Sequence, residues 1–473
     1  MNRQNFLGHL ALAITLILLA AFLGQIRHWQ QEWRSNHAYW AVGDRRPVTS
    51  KPRTAEVIVK FRAGTSLEQM KAIAARFGDR LEDQYEFIDG EAVMEDLDGE
   101  SAEQVAAEYN AHTDLVEYAE PNYEISLDPT EAQNYRGFGG NTGEQNSDAA
   151  LSDPMFSDQW SLENTGQRGG RAQADISAVD AWAKTHGSDE TVVAVLDSGV
   201  DYTHQDLANN IWTRPANVAA YTDAQLGTVD DLHGFNAVTN SGDPMDDNGH
   251  GTHVAGIIGA EGDNEIGIAG INWTVKIMPL KFMSAGGYGT TRDAIKAINY
   301  VIERKRDGVN VRVINASWGS TQNSRALRDA IKKAGDEGIL FVAASGNSSA
   351  NADRNPHYPA GYKLPNVISV AATDRNDQLA SFSNYGAKSV HIAAPGVEIL
   401  STWLGNQFRE ASGTSMATPE VAGVAALIVA TNPNISVENL RERILNSVDR
   451  LDSLNGKVST GGRLNAAKAL GVE

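Results

Sequence analysis

"TVVAVLDSGVD", Thr191 to Asp201, holds an unbroken apolar run from Val192 to Leu196, followed by Asp197 and Gly199. A strand with one wet face alternates apolar and polar residues. This run does not alternate, so it reads as a strand covered on both faces. The same pattern recurs in "VKIMPLKFM" (275–283), "VRVINASWG" (311–319), "ILFVAASGN" (339–347) and "VISVAAT" (367–373). Helical stretches, Thr291 to Lys305 and Arg325 to Glu337, lie between them. Alternating buried strands and helices predict an α/β fold, a mostly parallel sheet with helices on both faces. Ligands in such sheets sit outside the carboxyl ends of the strands, so the informative residues should lie where each strand stops.

Upstream, "AEVIVKF" alternates like a strand. "SLEQMKAIAARFG" reads as a helix with Ser66 as its cap, Gln69 at the third helical position and Gly78 ending it. "RLEDQYEFIDGEAVMED" reads as two strands about Asp89-Gly90, "SAEQVAAEYNAH" as a second capped helix, and "VEYAEPNYEIS" as a last strand. The order βαββαβ predicts a small α+β unit over 54–126. Residues 127–154, with "YRGFGGNTGEQNSD" inside, read as an exposed linker, and 155–473 as the larger domain.

The first 34 residues hold an apolar run from Phe6 to Leu23, interrupted strongly only by His9. Its length suits a bilayer span, and no small-residue cleavage site follows. The expectation is an anchor, with a signal peptide as the alternative, and a secreted or membrane-anchored protein facing the extracytoplasmic side. A formal charge of -20 argues against nucleic acid or an anionic membrane surface as the main partner. With no cysteine, disulfides, thiolate metal sites and a cysteine nucleophile are excluded.

At the strand ends the chemistry collects. Asp197 follows one buried strand, where it could equally be a turn former. His250 and His253 open a Gly/Ala/Ile-rich helix, and two histidines three apart could bind metal, although no third ligand stands nearby. "EASGTSMATPEVAGVAALIVATNP" (410–433) puts Ser415 in or just before the first turn of an apolar helix, where capping is the plain alternative. A serine hydroxyl is a weak nucleophile. It needs an imidazole to take its proton and a carboxylate to orient that imidazole. Asn347, in the loop after "VAAS", offers a side-chain amide to a developing oxyanion.

"AVLDSGVD", "NGHGTHVAG", "VAASGN" and "SGTSMATPEVAG", in that order, resemble the signature segments of the subtilisin-like serine protease (subtilase) family. The likeness runs from Gln159 to Leu470. It implies Asp197 as the orienting carboxylate, His250 as general base and acid, Ser415 as nucleophile and Asn347 as oxyanion donor. It implies substrate edges at Ser317, Trp318 and Gly319 and at Ala285, Gly286 and Gly287, with His357 on the floor of the pocket for the residue before the cut. It also implies a structural calcium site from Gln159, Asp206 and Asn264 with carbonyls near Ile266 and Ile268, and no catalytic cofactor. Residues 54–126 are similar to subtilase inhibitory prodomains. One departure is Glu420, where many members carry histidine.

The expected function is a serine endopeptidase made as a self-processing zymogen. Its partners would be protein or peptide substrates, its own prodomain as inhibitor, and a membrane if the N-terminal helix is uncleaved. The rivals are a catalytically silent peptide-binding protein of the same fold, an esterase, for which no G-x-S-x-G elbow surrounds Ser415, and a metal hydrolase using His250 and His253.

Overall fold

The computed structural model describes residues 54–85, 90–128, 131–134 (backbone only) and 151–472. The expected leader helix and the Asp89 side of the expected hairpin turn lie outside them.

In the first unit, β1 (Glu56–Phe61), α1 (Leu67–Phe77), β2 (Asp79–Gln84), β3 (Glu91–Asp96), α2 (Ala102–Asn110) and β4 (Val116–Pro121) follow the expected order. They build an antiparallel sheet ordered β2-β3-β1-β4. Both helices begin in capping boxes. Ser66 pairs reciprocally with Gln69, and Ser101 with Gln104, which satisfies donors that the first turn leaves unpaired. Gly78, at φ 80°, ends α1 in the left-handed region. Alternation along β1 explains why nearly all of it is buried. Val57, Val59 and Phe61 pack under α1 and α2, while Ile58 faces the larger unit.

The expected last strand is two. The chain leaves the sheet after β4, and β5 (Glu124–Ser126) pairs with an edge of the larger unit. The expected linker also contains a strand, β6 (Glu131–Asn134), which joins a second edge there.

The larger unit contains β7 (Gly187–Asp197), β8 (Phe235–Asn236), α3 (His250–Gly259), β9 (Thr274–Lys281), β10 (Tyr288–Thr290), α4 (Thr291–Arg306), β11 (Val311–Ala316) and α5 (Arg325–Asp336). It continues through β12 (Leu340–Ala344), β13 (Val367–Thr373), β14 (Ile392–Pro395), β15 (Ile399–Trp403), β16 (Gln407–Ser412), α6 (Thr414–Thr431), α7 (Val437–Asn446), β17 (Asp449–Arg450) and β18 (Gly462–Arg463). The main sheet runs β8-β9-β7-β11-β12-β13-β14-β18-β17. It is parallel except for the last pair. Side chains of β7 go alternately to two cores: Val193 and Val195 under α3 and α6, Val192, Ala194 and Leu196 under α4 and α5. Strand order reverses at β7, whose neighbours are β9 on one side and β11 on the other. A crevice therefore opens at the carboxyl ends of β7 and β11.

Candidate active site

Asp197 is the last residue of β7 and His250 the first of α3. The two elements meet because Gly251 has no side chain. A Cβ there would lie 2.0 Å from the Gly199 carbonyl oxygen and 3.1 Å from Asp197 Cβ. His250 Nδ1 lies 2.8 Å from Asp197 Oδ1, which also accepts the Ser198 N–H at 2.7 Å. Burial alone would lower the His250 pKa. The charge of Asp197 and its hydrogen bond outweigh that and hold the imidazole above its ordinary value of 6.5, with smaller help from Asp246 and Asp128.

Asp246 is a support that the sequence reading missed. Its carboxylate accepts the Ser198 hydroxyl at 2.9 Å, the Asn248 and Gly249 N–H groups, and both donors of Thr252. It thereby fastens the end of β7 to the start of α3. The available signal was an acidic residue just ahead of a helix start.

Ser415 is the second residue of α6, fully buried. Pro419 lacks an N–H, so the Ser415 carbonyl has no donor four residues on. The Ser317 hydroxyl donates to it instead, at 2.8 Å. The Ser415 hydroxyl donates in turn to the Ser317 carbonyl at 3.0 Å, and His250 Nε2 has no hydrogen-bond partner among the described residues. The serine hydroxyl thus rests on Ser317 and must rotate to meet an imidazole. Asn347 Oδ1 accepts the Thr414 N–H at 2.8 Å and the Thr414 hydroxyl at 2.9 Å, which fixes the amide beside the start of α6.

The expected edges divide. Gly287 accepts the Leu127 N–H at 2.9 Å, and Gly319 bridges to Ser126, so β5 lies between them as a strand. The Ala285 carbonyl accepts the Asn248 amide at 2.9 Å, tying this edge to the start of α3. Gly286 sits next to it against the Tyr288 ring. Trp318 lies in the same edge segment as Gly319. Its side chain is fully buried against Phe282 and its Nε1 donates to the Leu196 carbonyl at 2.7 Å, so only its backbone borders the crevice. On the far side β16, which ends three residues before Ser415, pairs with β6.

His253 is a structural donor. Its Nε2 bonds the carbonyls of Ile399 and Arg409, and burial holds its pKa down at about 3. His250 Nδ1 is engaged by Asp197, and no cluster of three or more acidic or histidine ligands occurs among the described residues, so the metal-hydrolase rival finds no ligand set beyond the two histidines. Of the residues expected to hold calcium, Asp206 accepts the Asn264 amide at 2.9 Å and the Ile268 N–H at 3.0 Å. It is fully buried, and burial, with the charges of Asp153 and Glu261, pushes it up to about 7. Ile266 donates its N–H to Asn264. Gln159 pairs both ends of its amide with the Ala269 backbone, one residue beyond Ile268.

Comparison with known proteins bears on the family. Residues 188–467 match the subtilase family, and residues 46–122 match the fervidolysin N-terminal prodomain. A thermophilic serine proteinase of Bacillus sp. (strain AK1) is 33% identical over 88% of this chain and 87% of its own length. Subtilisin-like protease 1 of Plasmodium falciparum (isolate 3D7) is 34% identical over 63% of this chain, which spans 46% of that protein. The crystal structure of fervidolysin from Fervidobacterium pennivorans shares the fold, with a TM-score of 0.68 at 23% identity over 89% of this chain and 62% of its own.

Proposed function

The chain belongs to the subtilase family and is a serine endopeptidase, and on that premise we propose that Asp197, His250, Ser415 and Asn347 carry its chemistry and that it is made as a self-processing zymogen. The Ser415 hydroxyl leaves the Ser317 carbonyl, gives its proton to His250 Nε2 and attacks the substrate carbonyl carbon. His250 then passes that proton to the leaving amine. Water, deprotonated by the same nitrogen, attacks the acyl-enzyme, and that proton goes to the Ser415 oxygen as the ester bond breaks. Asp197 holds the Nδ1–H tautomer and stabilises the imidazolium. The Asn347 amide and the Ser415 N–H at the start of α6 stabilise the oxyanion, helped by the positive end of the helix dipole.

The observation that carries the zymogen reading is β5. It pairs with β10 as an extended peptide would, between Gly287 and Gly319, and leads to Asp128, whose charge acts on His250. In this reading residues 54–126 fold first as an inhibitor, and the cut falls between Asp128 and Pro154. We further propose export, with residues 1–34 as anchor or signal. A structural calcium ion is proposed on Asp206 and Asn264 with the Ile266 and Ile268 carbonyls, an oxygen set of the kind calcium prefers. Such an ion would offset the cost of charging the buried Asp206 carboxylate.

Intact mass and N-terminal sequence of exported wild type and Ser415→Ala test the zymogen reading. The expected result is a wild-type start within 129–155 and an uncut variant. Two uncut, folded products would refute self-processing.

A further inference from the structure

We infer that His357 makes the pocket for the residue before the cut a carboxylate pocket, so that the enzyme cleaves after aspartate and glutamate in preference to apolar residues. This deepens the protease reading and rests on it.

The register of β5 sets the argument. Ser126 bridges Gly319, and Leu127 bonds Gly287. Side chains of an extended strand point alternately to opposite sides. Ile125 is accordingly buried in the core, Ser126 is exposed, and Leu127 lies over Gly287. Asp128 comes next and enters the crevice beside His250. Its Oδ2 stops 3.2 Å from His357 Nε2.

His357 fills a gap between two strand ends. A Cβ on Gly319, beyond β11, would lie 2.1 Å from His357 Nε2, and one on Gly346, beyond β12, 3.1 Å from the ring. The backbone holds the ring there. Gly361 donates to the His357 carbonyl at 2.7 Å, and Tyr358 exchanges hydrogen bonds with Ser320 at 2.8 and 2.7 Å. His357 is 8% exposed. His357 Nε2 and Asp128 Oδ2 meet as an ion pair without hydrogen-bond geometry, and neither atom has a hydrogen-bond partner among the described residues. A buried polar ring nitrogen at the end of a pocket prefers an occupant that pairs with it. A carboxylate accepts from Nε2–H in either the imidazolium or the Nε2–H tautomer. Leucine or phenylalanine would leave that nitrogen stranded, and a site built around a hydrogen bond rejects the analogue that cannot make it. The chain's own segment brings an aspartate to that nitrogen.

The test uses processed enzyme from the full chain and quenched peptides Ile-Ser-Leu-X-Ala-Gly, with X as Asp, Glu, Asn, Leu, Phe or Lys. The expected kcat/KM for Asp or Glu exceeds that for Leu or Phe by about 10–100-fold. His357→Gly should reverse that order, and His357→Gln, which keeps a donor, should retain part of it. An apolar preference in the wild type, or an unchanged order in His357→Gly, overturns the inference. Labelling Ser415 with a small organophosphonate separates the two readings. A labelled enzyme that cuts only after apolar residues loses the carboxylate pocket and remains a protease. An enzyme that neither labels nor cuts loses both.

Discussion

Glu420 offers the sharpest test of the energetics. It lies on α6 little more than one turn past Ser415, fully buried, and its carboxyl oxygens make no hydrogen bond of good geometry, Ser161 being the polar group beside it. Burial first, and the nearby charge of Asp175, push its pKa from 4.5 up to about 8. The folded state therefore keeps a proton that the unfolded chain releases. Stability from this group is fully present below the unfolded value of 4.5 and is lost as pH rises to about 8. At 1.36 kcal/mol per pH unit, that loss is about 5 kcal/mol, comparable to the whole stability of a typical domain. Glu420→Gln removes the charge and keeps the shape. The comparison is made in a Ser415→Ala background, which prevents autolysis. Denaturant unfolding at pH 5 should give similar stabilities with and without the Glu420→Gln substitution. At pH 9 the substituted chain should be more stable by several kcal/mol. Other titrating groups cancel in this difference, because both chains carry them. Parallel stability curves from pH 5 to 9 would refute the argument.

Four further outcomes follow from the site. Asn347→Ala should lower kcat about 10²–10³-fold with little change in KM, the loss known for the oxyanion asparagine of a subtilisin; an unchanged kcat would remove Asn347 from the mechanism. The acid limb of kcat/KM should lie above 6.5, because Asp197 raises the His250 pKa and activity appears only once the imidazole is neutral. A limb well below 6.5 would contradict the pairing. Glu120 accepts the Ser324 hydroxyl and the N–H groups of Arg325 and Ala326 at the start of α5, so Glu120→Ala in the full chain should weaken the prodomain's hold about 10–100-fold, seen as earlier onset of activity after processing. Chelation should lower the thermal midpoint and restored calcium should recover it; a midpoint indifferent to both would remove the ion from the Asp206 loop.

The parts legible in the sequence are those that side chains announce. Unbroken valine and isoleucine runs mark the buried sheet, and Ser66 with Gln69 marks the start of α1. Asp197, His250, Asn347 and Ser415 each stand at the end of a strand or the start of a helix. What stayed hidden is held by backbone pairing or by distant partners. "EAQN" has no apolar alternation, yet it forms β6 because an edge strand needs only backbone N–H and C=O groups. "NYEIS" reads as strand, but nothing local says that it abandons its own sheet for β10. The side-chain partners of Trp318 and Gln159 were hidden too. A tryptophan N–H buried on Leu196 and an amide closed on Ala269 depend on chain segments far away in sequence.

The strands β5 and β6 have a consequence for dosage. While the chain is intact, the peptide in the crevice is a tethered occupant, present at an effective concentration set by geometry and not by expression level. Diluting the precursor leaves every cleft filled. If the chain is cut as proposed, the same contacts become bimolecular, and the occupied fraction then depends on volume. Freshly cut molecules crowded at their site of synthesis would stay closed, and those that spread would open, with no change in any contact of the fold.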